Sequence, residues 1–263
     1  MSRSILFLVI LIMFSLGAAS SSDAADALDH ILKTKVLRVA VPEDFPPFGT
    51  ASIDLQPIGY DIDMARLIAH ELGVDIELLP VTSANRISYL MTRKVDLVLS
   101  SLGKNPQREK VIDFSQAYAP FFSAVFGIDE QKVSRATDLA GKTIGVTRGA
   151  IEDLELVKIV PPTTTIKRFE DNNTTISAFL SGQITLVATG NVVAEIIMER
   201  QSDKKMDFKF MIVNSPIYVG LNKNEGRLLE RVNGIIEHAK KDGSLDAIAR
   251  KWMKLKQPVS SLL

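Results

Sequence analysis

The chain predicts an α/β fold built as two units of similar design. Three observations carry this: strands and helices alternate from Val36 onward, the alternation restarts at Lys142, and runs such as Val95 to Leu99 are almost continuously apolar, as strands buried in a mostly parallel sheet require.

Val36 to Val41 reads as a strand ended by Pro42. Tyr60 to Leu72 places Ile62, Ala65, Leu67, Ile68, Ala69 and Leu72 near helical spacing and stops at Gly73, a natural C-terminal cap. Val74 to Val81 is the next strand, Ser83 is expected to cap a short helix through Met91, and Val95 to Leu99 completes the first unit. In the second unit the strand Thr143 to Thr147 leads to Gly149 and a helix, then the strand Thr164 to Phe169. Asn172 is expected to cap a helix ending at Gly182, followed by the strand Ile184 to Thr189 and a helix from Asn191 to Arg200. The likeness of the units is architectural, with no residue-level repeat.

Two extended stretches, Tyr118 to Ile128 and Phe208 to Leu221, flank the second unit, and helices from Glu225 to Lys241 and Ser244 to Met253 end the chain. If these helices pack on the first unit, the chain crosses twice between lobes and the crossings form a hinge. The expected division is 25–120 with 216–263 in lobe one and 121–215 in lobe two. Ligands in open α/β sheets bind beyond the carboxyl ends of the strands, so two such lobes facing each other enclose a site.

Arg3, the apolar run Ile5 to Leu16 and the small residues Gly17, Ala18, Ala19 and Ser20 have the order of a secretory leader, expected over 1–24 with cleavage between Ala19 and Ala25. The apolar run falls short of the roughly 20 residues of a membrane span. No cysteine occurs, which excludes disulfides, thiolate metal sites, a cysteine nucleophile and a lipid-anchored processed N-terminus. A soluble monomer released into a periplasm is expected. Lys plus Arg balance Asp plus Glu at 31 each, scattered along the chain, so no nucleic-acid surface is indicated. His30, His70 and His238 share no ligand spacing, and neither a metal nor a cofactor is expected.

The segments LRVAVPEDFPPF, GYDIDMARLIAHELG, KVDLVLSSLGKNPQREKVIDFSQAY, DLAGKTIGVTRG and DGSLDAIARKWM resemble, in order and spacing, the amino-acid class of periplasmic solute-binding proteins. The resemblance spans nearly all of the chain after the leader and implies a type II periplasmic-binding fold: two lobes joined by two hinge strands. It implies that Arg108 grips the ligand carboxylate, a planar fork meeting a planar anion; by the sequence alone an ion pair with Glu109 or Asp113 stays open. Ser100, Ser101, Gly103 and Asn105 match the loop lining the first-lobe pocket, with Gly103 and Asn105 standing where the family has hydroxyls. Phe45 matches the ring that covers the solute, core packing being the open alternative, and Phe48 reads as core. Ser83 and Arg86 resemble the pair that holds a side-chain carboxylate in acidic-amino-acid binders, although Arg86 could instead serve a structural acid. Arg148, Gly149 and Ala150 match the second-lobe turn whose N–H groups complete the carboxylate site, with Ala150 lacking the usual hydroxyl.

Gly190 is the departure with the largest consequence. The family pattern has an aspartate there for the ligand ammonium, and a buried ammonium without its carboxylate costs several kcal/mol. Asn191 could offer a neutral acceptor and Glu152 or Asp153 a charge, but the sequence does not place them.

The expected function is therefore capture of an amino acid or related small carboxylate in the interlobe cleft, for delivery to the membrane permease of an ABC importer, without catalysis. Counting Arg86, Arg108 and Arg148 against the missing aspartate favours an acidic or dicarboxylate ligand. The alternative is a cyclohexadienyl-dehydratase-like enzyme on the same scaffold, with Glu152 or Asp153 as general acid. The input lobe of a sensor kinase is disfavoured, since nothing follows Leu263.

Overall fold

The computed structural model describes residues 27–200, 206–253 and 257–263; the leader expected over 1–24 lies outside them. Helix α1 (Ala27–Thr34) leads into β1 (Val36–Pro42), and a small hairpin of β2 (Thr50–Ala51) and β3 (Pro57–Ile58) precedes α2 (Tyr60–Leu72). The first unit continues through β4 (Asp75–Val81), α3 (Arg86–Met91), β5 (Leu97–Val98), α4 (Pro106–Glu109) and β6 (Ile112–Ala119). The second comprises β7 (Phe122–Ile128), β8 (Thr143–Thr147), α5 (Ile151–Leu156), β9 (Thr165–Phe169), α6 (Asn172–Leu180), β10 (Leu186–Gly190), α7 (Asn191–Arg200) and β11 (Met206–Asn214). The chain then returns through β12 (Ile217–Asn222), α8 (Gly226–Asp242) and α9 (Ser244–Met253).

Two five-stranded sheets result, ordered β4-β1-β5-β12-β6 and β11-β7-β10-β8-β9. β1 pairs parallel with β4 from Val36 opposite Asp75 to Pro42 opposite Val81, and parallel with β5, while β12 enters antiparallel between β5 and β6. The second sheet repeats the plan: β8 lies parallel between β9 and β10, and β7 enters antiparallel between β10 and β11. Each sheet thus has one strand opposed to the other four. The opposed strands, β12 and β7, are the first of each unit to follow a crossing, at 215–216 and 120–121.

The first lobe's core is filled by Leu37, Val39 and Val41 of β1, by Ile62, Ala65, Ile68 and Leu72 on one face of α2, and by Val232, Ile235 and Ile236 of α8. Both sheets bury side chains on both faces, which is why their strands read as apolar runs. Phe121, in the first crossing, contacts the rings of Phe45 and Phe48 with centroids 6.4 and 5.7 Å away, so the aromatic core of lobe one continues into the hinge. The carboxyl ends of β1, β4 and β5 face those of β8, β9 and β10, and the loops they carry meet between the lobes.

Candidate functional site

The loops after β4 and β5 bring two guanidinium groups into the cleft. Arg86 opens α3 and is 2% exposed; its Nη1 donates to the carbonyl of Ser100. Arg108, in α4, is 3% exposed. Its Nη1 donates to the carbonyl of Gly103 at 2.6 Å and its Nη2 reaches across the cleft to the carbonyl of Gly149 at 2.9 Å. The Nε–H of each arginine is buried with no partner among the described residues. Burial lowers the Arg108 pKa to about 9, with repulsion from Arg86 adding to the effect, and burial lowers Arg86 to about 10. Both remain cations at neutral pH. Two desolvated like charges, each with an unused donor, can receive anionic oxygen.

The cavity that Arg86 and Glu152 share between the lobes is small, about 10 Å³, which is room for roughly one water. Its walls include Phe45, Ser83, Arg86 and Ser101 from lobe one and Ala150, Ile151, Glu152 and Asn172 from lobe two, with Phe121 at the hinge. Phe45 stacks on Phe48 at 5.8 Å and serves both as cavity wall and as the edge of the core, whereas Phe48 is wholly buried. Ser101 has a left-handed backbone, φ 42°, and its N–H donates to Asp61 at 2.6 Å. Asp61 also accepts from the Tyr118 hydroxyl at 2.8 Å. Burial raises its pKa to about 7, against the lowering by Tyr118, Ser101 and Arg86.

Other residues of the expected site have partners within the protein or stand in the cavity wall. Asn105 caps α4 by accepting from the Arg108 N–H at 2.9 Å, and its Nδ2 donates to Glu155 of lobe two at 2.7 Å. Gly103 gives its carbonyl to Arg108, and a Cβ there would meet Ser215 at 3.1 Å and Ile151 at 3.2 Å. Gly149 has φ +72°, and a Cβ on it would lie 3.0 Å from the Ala84 Cα, so glycine lets the two lobes approach. Ala150 lines the cavity at the start of α5.

Two expected contacts are not made. Arg148 leaves the cleft: it is half exposed and bound to Glu170, Nη2 to Oε1 3.0 Å, because Thr147 pairs with Phe169 and the next residue of each strand is therefore its neighbour. Asn191 does not face a ligand with its oxygen, since Oδ1 accepts from the Phe122 N–H at 3.2 Å. Gly190 has no room for a side chain, because a Cβ would fall 2.2 Å from the Phe121 ring.

The sequence left Glu152 unplaced, and it belongs to the cavity. It is 3% exposed, accepts from the Ser123 hydroxyl at 3.0 Å, and interacts electrostatically with both Arg86 and Arg108. Burial raises its pKa, against the lowering by its hydrogen bonds and the two arginines. Asp153, the other acid considered, is used by the framework: it accepts from the Arg168 Nε at 2.7 Å and the Gly149 N–H at 3.1 Å. Phe121 and Asp44 were also missed. Asp44 accepts from the Asn172 backbone N–H at 2.5 Å and from its side chain at 3.0 Å, tying the loop after β1 to the start of α6.

Comparison with known proteins identifies the family. The L-cystine-binding protein TcyJ of Escherichia coli is 25% identical over 257 residues, covering 96% of each chain. The arginine-binding extracellular protein ArtP of Bacillus subtilis is 26% identical, over 92% of this chain and 93% of its own. Among solved structures, the ancestral amino acid-binding protein AncCDT-1, a precursor of cyclohexadienyl dehydratase, superposes with a TM-score of 0.78 at 29% identity, covering 86% of this chain and 99% of its own. The model of the bacterial extracellular solute-binding proteins, family 3, matches residues 37–255, and the chain belongs to that family.

Proposed function

We propose that this protein is the solute receptor of an ABC importer, a monomer released into the periplasm, and that it captures an amino acid between its lobes and passes it unchanged to a membrane permease. The observation that carries the reading is the pair of buried arginines with unpartnered Nε–H groups in the cleft. Arg108 holds the ligand carboxylate. It now spans the lobes through the neutral carbonyl of Gly149, and a carboxylate is the stronger acceptor for the same fork. Two of the named relatives are binding proteins for L-cystine and arginine, which favours capture over dehydration.

Arg86 beside Ser83 in the cavity wall favours a second carboxylate on the ligand. The withdrawal of Arg148 to Glu170 and the presence of Glu152 remove the case for a ligand without an ammonium. Glutamate and aspartate therefore lead, ahead of simple dicarboxylates. Thermal shift with L-glutamate, L-aspartate, L-glutamine, L-arginine and L-cystine tests the reading. At least one should stabilise the native protein, and Arg108→Ala should weaken its binding by about 100-fold or more, the usual cost of breaking a buried charged pair. Equal stabilisation of the variant would remove Arg108 from the site.

A further inference from the structure

An amino acid brings an ammonium into the cleft, and that cation needs an acid with acceptor capacity to spare. Most of the acids near the cleft are committed. Asp44 serves Asn172, Asp61 serves Ser101 and Tyr118, Asp153 serves Arg168 and Gly149, and Glu155 serves Asn105 and Lys158. The end of β10 cannot supply one, because the Phe121 ring fills the space beside Gly190, with Cζ 2.2 Å and Cε2 2.4 Å from where a Cβ would stand.

Glu152 remains. Gly190 lies directly opposite Ser123 in the antiparallel β7 and β10 ladder, where facing residues stand about 5 Å apart. The Ser123 hydroxyl donates to Glu152 Oε2 at 3.0 Å, so the carboxylate is anchored next to the strand position that is blocked. It enters from α5 rather than from β10 and reaches the same cavity as Arg86 and Phe45. A carboxylate has about four acceptor positions, so those not taken by Ser123 and by backbone remain for a ligand.

We propose that Glu152 is the acceptor for the α-ammonium of the bound amino acid, with Ser123 orienting it and Phe121 closing the space beside Gly190. This rests on the reading of the cleft given under Proposed function. Arg108 and Glu152 then hold the two ends of a zwitterion, and selection for an α-amino acid resides in the second lobe's first helix.

Two pairs of probes differing only in the ammonium test this by calorimetry: L-glutamate with glutarate, and L-arginine with 5-guanidinopentanoate. For the pair that binds, the native protein should prefer the amino acid by about 100-fold. Glu152→Gln, close to the native shape, should weaken the amino acid by about 100-fold while changing its partner by no more than about threefold. Ser123→Ala, which leaves the carboxylate in place but unanchored, should move in the same direction by a smaller factor. Equal losses for both members of a pair, or no loss, would overturn the assignment. Arg108→Ala separates the two readings, since it should weaken both members alike. If the native protein binds L-aspartate, L-glutamine or L-cystine instead, the pair is that amino acid with its desamino analogue, and a native protein that binds none of the five amino acids overturns the cleft reading and this one with it.

Discussion

Asp61 couples the pocket loop to the core, and its titration gives that coupling a measurable sign. Its carboxyl accepts from the Ser101 N–H and the Tyr118 hydroxyl, while the Tyr60 hydroxyl donates to the Tyr118 carbonyl at 2.6 Å. Burial lifts its pKa from 3.8 to about 7, so between those values the folded protein holds a proton that the unfolded chain has released. The contribution of this group is therefore fully present below about pH 4 and is lost as the pH rises to about 7. Asp61→Asn fixes the neutral form. Relative to this variant, the native protein should lose about 4 kcal/mol between those limits, measured by urea unfolding at a series of pH values. A constant difference would show that the carboxyl stays ionised throughout. The same scale shows what a sequence reveals of a site. That Arg86 and Arg108 stand together in the cleft was legible because each follows a strand end within a recognisable segment. Arg148 looked equivalent but depends on the β8 to β9 register, which pairs it with Glu170. Glu152 and Phe121 were not legible, because only the folded strands place Ser123 opposite Gly190.

Elements were legible wherever a local signal set both ends. Helix α2 runs from Tyr60 to Leu72, as its apolar spacing and Gly73 require, and α9 and β8 also match their expected limits. Caps were less secure, because several polar residues compete at each start. α3 begins at Arg86, with Asn85 at the cap and its Oδ1 accepting from the Thr82 N–H at 3.0 Å, so Ser83 is free to line the cavity. α6 is capped by Asp171, whose side chain accepts from the Thr174 N–H at 2.7 Å, leaving Asn172 for Asp44. The β2 and β3 hairpin and α1 were missed, being too short for periodicity to speak. Gly73 offers an element-scale test. It holds φ 67° and ψ 40°, and the following Val74 N–H closes on the Ala69 carbonyl at 3.1 Å, the arrangement of a Schellman cap. A Cβ there would meet nothing within 4 Å, so Gly73→Ala should cost only the left-handed conformation, about 1 kcal/mol. The melting temperature should fall by about 2–4 °C with ligand affinity unchanged. No fall would mean that the helix end relaxes out of the left-handed conformation.

At the scale of the whole molecule the lobes are shut, and hydrogen bonds at the cavity wall and beyond it hold them together. Ligand pockets enclose about 300–1,000 Å³, far more than the 10 Å³ between Phe45 and Glu152, so solute entry requires the lobes to part. The chain crosses between the units at Pro120 and Phe121 and at Ser215 and Pro216, where such a motion would be absorbed. Asp44 is a latch of three bonds: from lobe one it accepts the Asn172 N–H at 2.5 Å and the Asn173 N–H at 3.4 Å, together with the Asn172 side chain at 3.0 Å, and Arg108 adds its bond to the Gly149 carbonyl. Asn105 with Glu155, and Gln107 with Lys158, add weaker links. On opening, water replaces all of these partners, so Asp44 stabilises the closed state relative to the open one and leaves the stability of each lobe untouched. Asp44→Ala leaves the first N–H groups of α6 unmet only when the lobes close. The population should then shift toward the open form, with a larger radius of gyration by small-angle scattering in the absence of ligand. Affinity should fall by about tenfold, the fraction of closed molecules having dropped by that factor, while urea unfolding of the ligand-free protein changes little. An unchanged radius together with an unchanged affinity would show that closure is governed by the hinge and the aromatic cluster around Phe121, and not by the latch at Asp44.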